Sequence, residues 1–384
     1  MRIGVFSESY EPIINGVTVC AQTLRDELCN QGHEVFIFAP GYRGFEDPYA
    51  HVFRFPSWTA PIAPDYPLPI PFAPSIKKSF RGLGLDIVHT QTPFLLGMIG
   101  ARWARQLGIP VVSTNHTHYA EYTHYAPFLP QSLAKKTLIA HLRRYYNGCD
   151  AVVAPSQPTR EILLSYGVRS RIEVITSGVN NGEVVVKSNG FRERIGVPPD
   201  SQALLYVGRL AKEKNLMMLL SAFQLIAKET PNAQLVLVGA GPYEDEIKAR
   251  AERLGVKDRL IFVGSLPRAE LPSVYASADV FVWPSVTETQ GLAVCEALSA
   301  GLPCVAVKAG GTPECLVDGV DSFLTDNNYE SFAGATLRLL KDEDLRSKMA
   351  SDALRNSLRF STSEMAANFL EFYSSVISEY KGER

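Results

Sequence analysis

Ser285-Val-Thr-Glu288-Thr-Gln-Gly291-Leu-Ala-Val-Cys-Glu296-Ala-Leu-Ser-Ala-Gly301-Leu-Pro303 begins one residue after the apolar run Val280-Phe-Val-Trp283. The segment reads as strand, loop and helix. It puts Glu288 in the loop at the strand's carboxyl end and Glu296 about two turns into the helix. The unpaired N–H groups at a helix start favour an anion there. Acids on both sides of such a loop suit a ligand that is part phosphate and part polyol.

A second cluster supports this reading. Ala203-Leu-Leu-Tyr-Val207 reads as a buried strand, and Gly208-Arg209-Leu-Ala-Lys212-Glu-Lys214-Asn215 follows it before a helix begins. Arg209 and Lys214 are two cations just past a strand end, which is where open parallel α/β sheets bind ligands. Together the two clusters resemble the retaining nucleotide-sugar glycosyltransferases of the GT-B fold, the large group with two glutamates separated by seven residues. The resemblance extends over nearly the whole chain. It implies an α/β fold, two Rossmann-like doubly wound domains facing a central cleft.

The rest of the chain keeps the same rhythm. Strand-like runs at 3–7, 34–39, 52–55, 86–90, 111–114, 151–154 and 173–176 alternate with helical patterns in the first half. Runs at 203–207, 234–239, 260–263, 280–283 and 304–307 do so in the second. Such alternation predicts parallel sheets covered by helices, and continuous apolar strands predict burial on both faces. A polar, turn-rich stretch at 179–200 reads as a linker between domains at 1–178 and 201–362. The pattern at 363–384 reads as a long amphipathic helix, which in the family returns to the first domain. Seven prolines between Pro56 and Pro74 predict a stiff loop and no strand.

Length and composition narrow the classes. The chain has 384 residues, enough for two cores, with 46% apolar and 20% charged residues. No apolar run reaches the roughly eighteen residues of a membrane span. The opening Met1-Arg-Ile-Gly-Val-Phe-Ser reads as a first strand and not as a secretory signal. Six cysteines without metal-type spacing read as reduced thiols, which points to the cytoplasm. A net charge of −2 argues against nucleic-acid binding. Residues 1–178 carry 16 Lys and Arg against 13 Asp and Glu, and residues 179–384 carry 22 against 27, so the first half is net +3 and the second −5. Either the asymmetry is chance or the basic first half faces an anionic surface.

After the first strand comes Glu8-Ser-Tyr10-Glu-Pro12-Ile-Ile-Asn15-Gly16-Val17, with no Gly-x-Gly-x-x-Gly, so the dinucleotide fingerprint fails. Gly16 still opens a helix where backbone can approach a phosphate. The family resemblance implies donor contact at Gly16. It implies that Arg209 and Lys214 neutralise a departing nucleoside diphosphate, and that backbone near Gly291 and Leu292 touches it. By the same resemblance Glu296 holds ribose hydroxyls, Glu288 the hydroxyls of the donor sugar, and backbone near Leu266 the base. His116, in Asn115-His-Thr-His118 after a buried strand, is placed near the reacting sugar. With Glu288 it is the expected catalytic pair. Many relatives have Glu-Gly-Phe-Gly where this chain has Glu288-Thr289-Gln290-Gly291. That variation, with Thr289 and Gln290 as expected donor contacts, resembles the diacylglycerol glucosyltransferases, sulfoquinovosyltransferases and phosphatidylinositol mannosyltransferases.

Three further patterns each carry two readings. His116, His118 and His124 invite a zinc site, but the spacing is irregular and no cysteine or acid completes it. Asp342-Glu-Asp344 matches the Asp-x-Asp of another glycosyltransferase architecture, yet it lies between two helical patterns, where acids open a first turn. No metal and no other cofactor is therefore expected beyond the nucleotide-sugar substrate. Lys77, Lys78 and Arg81, and Lys135, Lys136, Arg143 and Arg144, mix with apolar residues at helical spacing. They read either as solvated faces or as docking surfaces for anionic lipid.

The expected activity is transfer of a hexose, from UDP-glucose first and GDP-mannose as competing donor, to a membrane lipid such as diacylglycerol on the cytoplasmic face. A soluble or polysaccharide acceptor is the alternative. A nucleotide-sugar-binding protein without transfer, or an epimerase on the same architecture, is the second.

Overall fold

The computed structural model describes residues 1–58, 67–121, 130–180 and 189–382. They form two compact units, residues 1–178 with 362–384 and residues 179–361.

In the first unit, β1 (Arg2–Phe6), β2 (Glu34–Pro40) and β3 (Val52–Phe55) precede a two-residue hairpin of β4 (Ser57–Trp58) and β5 (Leu68–Pro69). Then come β6 (Ile87–Thr90), β7 (Val111–Thr114), β8 (Ala151–Ala154) and β9 (Arg171–Val174). Seven of these strands make one sheet in the order β3-β2-β1-β6-β7-β8-β9, every pair parallel. Strand side chains alternate between faces. Ile3, Val5, Val35, Ile37 and Ile87 therefore enter one buried cluster, and Phe6, Phe36, Phe38 and Val88 the other. Helices α2 (Pro74–Gly82), α3 (Leu95–Leu107), α4 (Gln131–Tyr146) and α5 (Gln157–Ser165) supply Phe80, Trp103, Tyr145 and Leu163 to the second cluster. On the first face lies α1 (Gly16–Asn30), whose start is capped by Asn15 Oδ1 accepting from Thr18 N at 3.0 Å.

The second unit has β10 (Gln202–Val207), β11 (Ala233–Val238), β12 (Leu260–Gly264), β13 (Val280–Trp283), β14 (Cys304–Val307) and β15 (Ser322–Thr325). Their order is β12-β11-β10-β13-β14-β15, again all parallel. Its helices are α6 (Asn189–Arg194), α7 (Leu216–Glu229), α8 (Glu244–Arg253), α9 (Leu271–Ala276), α10 (Leu292–Ser299), α11 (Thr312–Cys315), α12 (Tyr329–Lys341) and α13 (Glu343–Ser357). The remaining helix, α14 (Thr362–Gly382), belongs to the first unit. Its Met365, Phe369, Phe372, Tyr373 and Val376 complete the cluster that β1, β2 and α1 begin.

Both sheets reverse order beside their first strand, between β1 and β6 and between β10 and β13. Open α/β sheets bind ligands at the carboxyl ends flanking such a point.

Four expectations are corrected. The strand expected at 173–176 runs Arg171–Val174, because its partner β8 offers only Ala151–Ala154 to pair with. β15 was missed; it is a half-buried edge strand without an apolar run. The proline-rich stretch does hold the two short strands β4 and β5, since a two-residue ladder asks little of the backbone. Finally, α10 starts only at Leu292, after Gly291 at φ 105°, so Glu296 sits little more than one turn inside it.

Candidate active site

Lys214 and Glu288 lie 74 residues apart in sequence and meet at the end of the second sheet. Lys214 ends a short turn after β10, and Glu288 stands in the loop after β13. Lys214 Nζ is 2.6 Å from Glu288 Oε1, and both side chains are largely buried. Ser285 Oγ donates to the same oxygen at 2.5 Å. The ammonium also lies 5.6 Å from the centroid of Trp283, which stacks on Tyr206. Arg209 is exposed, and its carbonyl accepts from the Tyr206 hydroxyl at 3.0 Å.

Asn215 joins the two loops. It is the one non-glycine residue with positive φ (58°) among those described, a conformation asparagine tolerates. Its Nδ2 donates to Pro284 O at 3.0 Å and to Asn327 Oδ1 at 2.8 Å. Sequence reasoning passed over Asn215 and Ser285. An asparagine opening a helix directly after a lysine was the available signal for the first.

The loop from Pro284 to Gly291 is shaped by a close backbone approach. Gly311 N donates to Glu288 O at 2.8 Å, and a Cβ at Gly311 would stand 2.2 Å from Thr289 O. Gly291 then starts α10 without a side-chain cap, and by helix geometry the first N–H groups have no acceptor inside the helix. Leu292 and Thr289 are half-buried. Gln290 is buried, with Nε2 3.7 Å from Cys295 Sγ.

Glu296 borders a pocket open to solvent, lined also by Arg268, Leu271, Pro272, Tyr275 and Ser299. Tyr275 donates its hydroxyl to Glu296 Oε2 at 2.8 Å. Burial pushes the Glu296 carboxyl above the usual carboxylate range, and the Tyr275 hydrogen bond and Arg268 charge oppose that. Leu266 is half-buried after β12 and packs on the unit's core.

In the first unit, Gly16 is exposed at the start of α1. His116 is half-buried after β7, with Nε2 2.6 Å from Gln91 Oε1. Burial pushes its pKa down to about 4, so the ring is neutral at neutral pH. Behind it His89 bridges Tyr373 of α14 and Thr114 of β7, each at 2.7 Å, and burial lowers its pKa to about 3. Glu8, past the end of β1, was not singled out by sequence. Its Oε1 accepts from Leu96 N at 2.5 Å and Gly97 N at 3.4 Å. Burial pushes its carboxyl up to about 7 despite those bonds.

No group of three metal-ligating side chains occurs among the described residues. His118 Nε2 pairs with Thr159 Oγ1 at 3.0 Å, and His124 lies outside those residues. Asp342 Oδ1 accepts from Leu345 N at 2.9 Å, so the Asp-x-Asp match is the N-cap of α13. Lys78, Arg81, Lys135, Lys136, Arg143 and Arg144 are exposed on α2 and α4, Lys77 is half-buried, and Lys135 pairs with Glu121 at 3.1 Å. No helix among the described residues is long and apolar enough to cross a membrane.

Two parallel sheets, each reversing order beside its first strand, define two doubly wound α/β units. The chain belongs to the GT-B glycosyltransferases of group 1. The family model "Glycosyl transferases group 1" matches residues 188–355, and "Glycosyltransferase Family 4" matches residues 14–182. The chain is 34% identical over 324 residues to an alpha-monoglucosyldiacylglycerol synthase of Streptococcus pneumoniae, covering 80% of this chain and 71% of that one. It is 31% identical over 346 residues to the protein of that name from Acholeplasma laidlawii, covering 86% of each. In fold it is similar to HepE of Anabaena, solved in complex with UDP, at a TM-score of 0.78 and 22% identity over 98% of this chain and 100% of that one.

Proposed function

We propose that this glycosyltransferase moves a hexose from UDP-glucose to the free hydroxyl of a membrane lipid of the diacylglycerol type, with retention of anomeric configuration and without a metal ion. The observation that carries the donor half is the meeting of Lys214, Glu288 and the start of α10 at the switch point of the second sheet. The acceptor half rests on the two synthases to which the chain is 34% and 31% identical.

In this reading the bond from the anomeric carbon to the diphosphate breaks, and its electron pair leaves on the phosphate oxygen. The acceptor oxygen forms the new bond on the same face, and its proton passes to the departing phosphate. Negative charge grows on the diphosphate as this proceeds. Arg209, Lys214 and the N–H groups opening α10 bind that charge more strongly as it develops, which lowers the barrier. Glu288 orients sugar hydroxyls, Glu296 the ribose, Leu266 the base, and neutral His116 a sugar hydroxyl. Thr289 acts as a donor contact, whereas Gln290, expected to do the same, is buried and faces Cys295, so its role is corrected to supporting the loop. Gly16 takes a phosphate against backbone. The diphosphate is neutralised by side chains, so turnover should persist in chelator.

The test is product analysis with lipid vesicles and a panel of UDP, GDP and ADP sugars. A glucosylated lipid with the α linkage is expected. Free sugar alone, or an epimerised donor, would replace this reading. The exposed bases of α2 and α4 are proposed to dock on the cytoplasmic face of the membrane, and the protein should pellet with vesicles of acidic lipid at low salt and release as salt rises. Equal pelleting with neutral vesicles would show that these bases do not direct the binding.

A further inference from the structure

The carboxyl ends of β1 and β6 hold a group of buried polar atoms with nothing to bind. Glu8 Oε2, Gln91 Nε2 and Thr92 Oγ1 are all shielded from water and without hydrogen-bond partners. Gln91 is 1% and Thr92 7% exposed. A buried donor or acceptor left unpaired is destabilising, and such groups are few in native proteins. Three at one switch point call for a ligand.

The backbone brings them together. Gln91 N donates to Phe6 O at 2.8 Å, which ties the end of β6 to the end of β1, two residues before Glu8. Glu8 Oε1 reaches Gly97 N, and a Cβ at Gly97 would stand 1.9 Å from Thr92 O. Only a glycine there lets the start of α3 pack against Thr92 while capping on Glu8. Gln91 Oε1 is spent on His116 Nε2 at 2.6 Å, which leaves its amide N–H groups as the available donors.

We propose that Glu8, Gln91 and Thr92 form the recognition site for the acceptor alcohol. Glu8 Oε2 receives the hydrogen bond of a free hydroxyl. Gln91 Nε2 and Thr92 Oγ1 donate to an oxygen on the neighbouring carbon. That pattern, an alcohol beside a second oxygen, is shared by a partly acylated glycerol and by a sugar ring. The site rests on the proposed transferase reading and names the acceptor side of it.

The experiment compares wild type with Thr92→Val, Thr92→Ser and Glu8→Gln, using diacylglycerol vesicles in one arm and a soluble methyl glycoside in the other. Thr92→Val is expected to raise the acceptor KM about tenfold, the factor for one hydrogen bond. Thr92→Ser should restore it, and the Kd for UDP should stay within about twofold in all three variants, well inside the free energy of that bond. Glu8→Gln should raise acceptor KM in the same way. An unchanged acceptor KM in Thr92→Val and Glu8→Gln overturns the site, as does a parallel loss of UDP binding. If only the methyl glycoside is glycosylated, the lipid reading fails and the same KM comparison still decides the site. If the lipid is glycosylated and the variants behave as wild type, the site fails and the lipid reading stands.

Discussion

Arg209 and Glu8 pose opposite electrostatic problems. Arg209 is exposed in the segment after β10 that also carries the largely buried Lys214, and its proposed role is to bind the developing charge of the leaving diphosphate. Replacing it with alanine should lower kcat by about 10²-fold or more, the scale of one preorganised charge at a developing anion. Unchanged turnover in Arg209→Ala would remove it from the mechanism. Glu8 is held near pH 7 by burial, above its usual range. A carboxyl raised on folding stabilises the fold while protonated, and that contribution is lost as pH rises from about 4.5 through 7. The groups around it keep one charge state there: Tyr119 and Tyr145 are raised, and His116 is neutral. Glu8→Gln should therefore gain stability over wild type between pH 5 and pH 8, by up to about 3 kcal/mol. Denaturant titrations at the two pH values decide it, and a difference independent of pH would show that Glu8 titrates normally. His89 and His116 push the other way, losing stability as pH falls below about 6.5, but they do so in both proteins.

The loop after β13 and helix α10 work as one element, set by the turn at Gly311. A methyl there meets Thr289 O, so Gly311→Ala must displace the backbone of the Glu288 loop. Overpacking of this kind costs about 1–3 kcal/mol, and UDP affinity should fall roughly tenfold with it. Calorimetry with UDP checks this; native affinity would mean the loop yields without losing its shape. Much of this element was legible in sequence: the apolar run, the glycine break and both glutamates stand in the order the fold uses. Each motif could be put past a strand end, but not the ion pair across them, because Lys214–Glu288 depends on strand order. Gly311 could not be read either, since its importance is a steric contact with a segment 22 residues earlier. The Glu8, Gln91 and Thr92 group carried no spacing signal. What marks it is hydrogen bonds not made, and only coordinates show those. The parallel βαβ architecture was far more legible, because continuous apolar strands recur along the whole chain. The edge strand β15 escaped because its burial is partial.

At the scale of the molecule, α14 is structural to the first unit. Tyr373 reaches His89 in the middle of the sheet, and Phe369 and Phe372 cover the face that β1 and β2 present. Tyr373→Phe leaves a buried histidine nitrogen unpaired and should cost about 1–3 kcal/mol in urea unfolding. No change would mean the ring nitrogen finds another partner. The same helix sets an order of events during synthesis. Residues 1–178 leave the ribosome first, but the helix that seals their apolar face is 183 residues further on. At about 5–20 residues per second, that face waits roughly ten to forty seconds for its cover. The nascent chain is therefore a natural client for chaperones that shield greasy surfaces, and a premature stop before Thr362 should yield aggregates instead of a shortened enzyme.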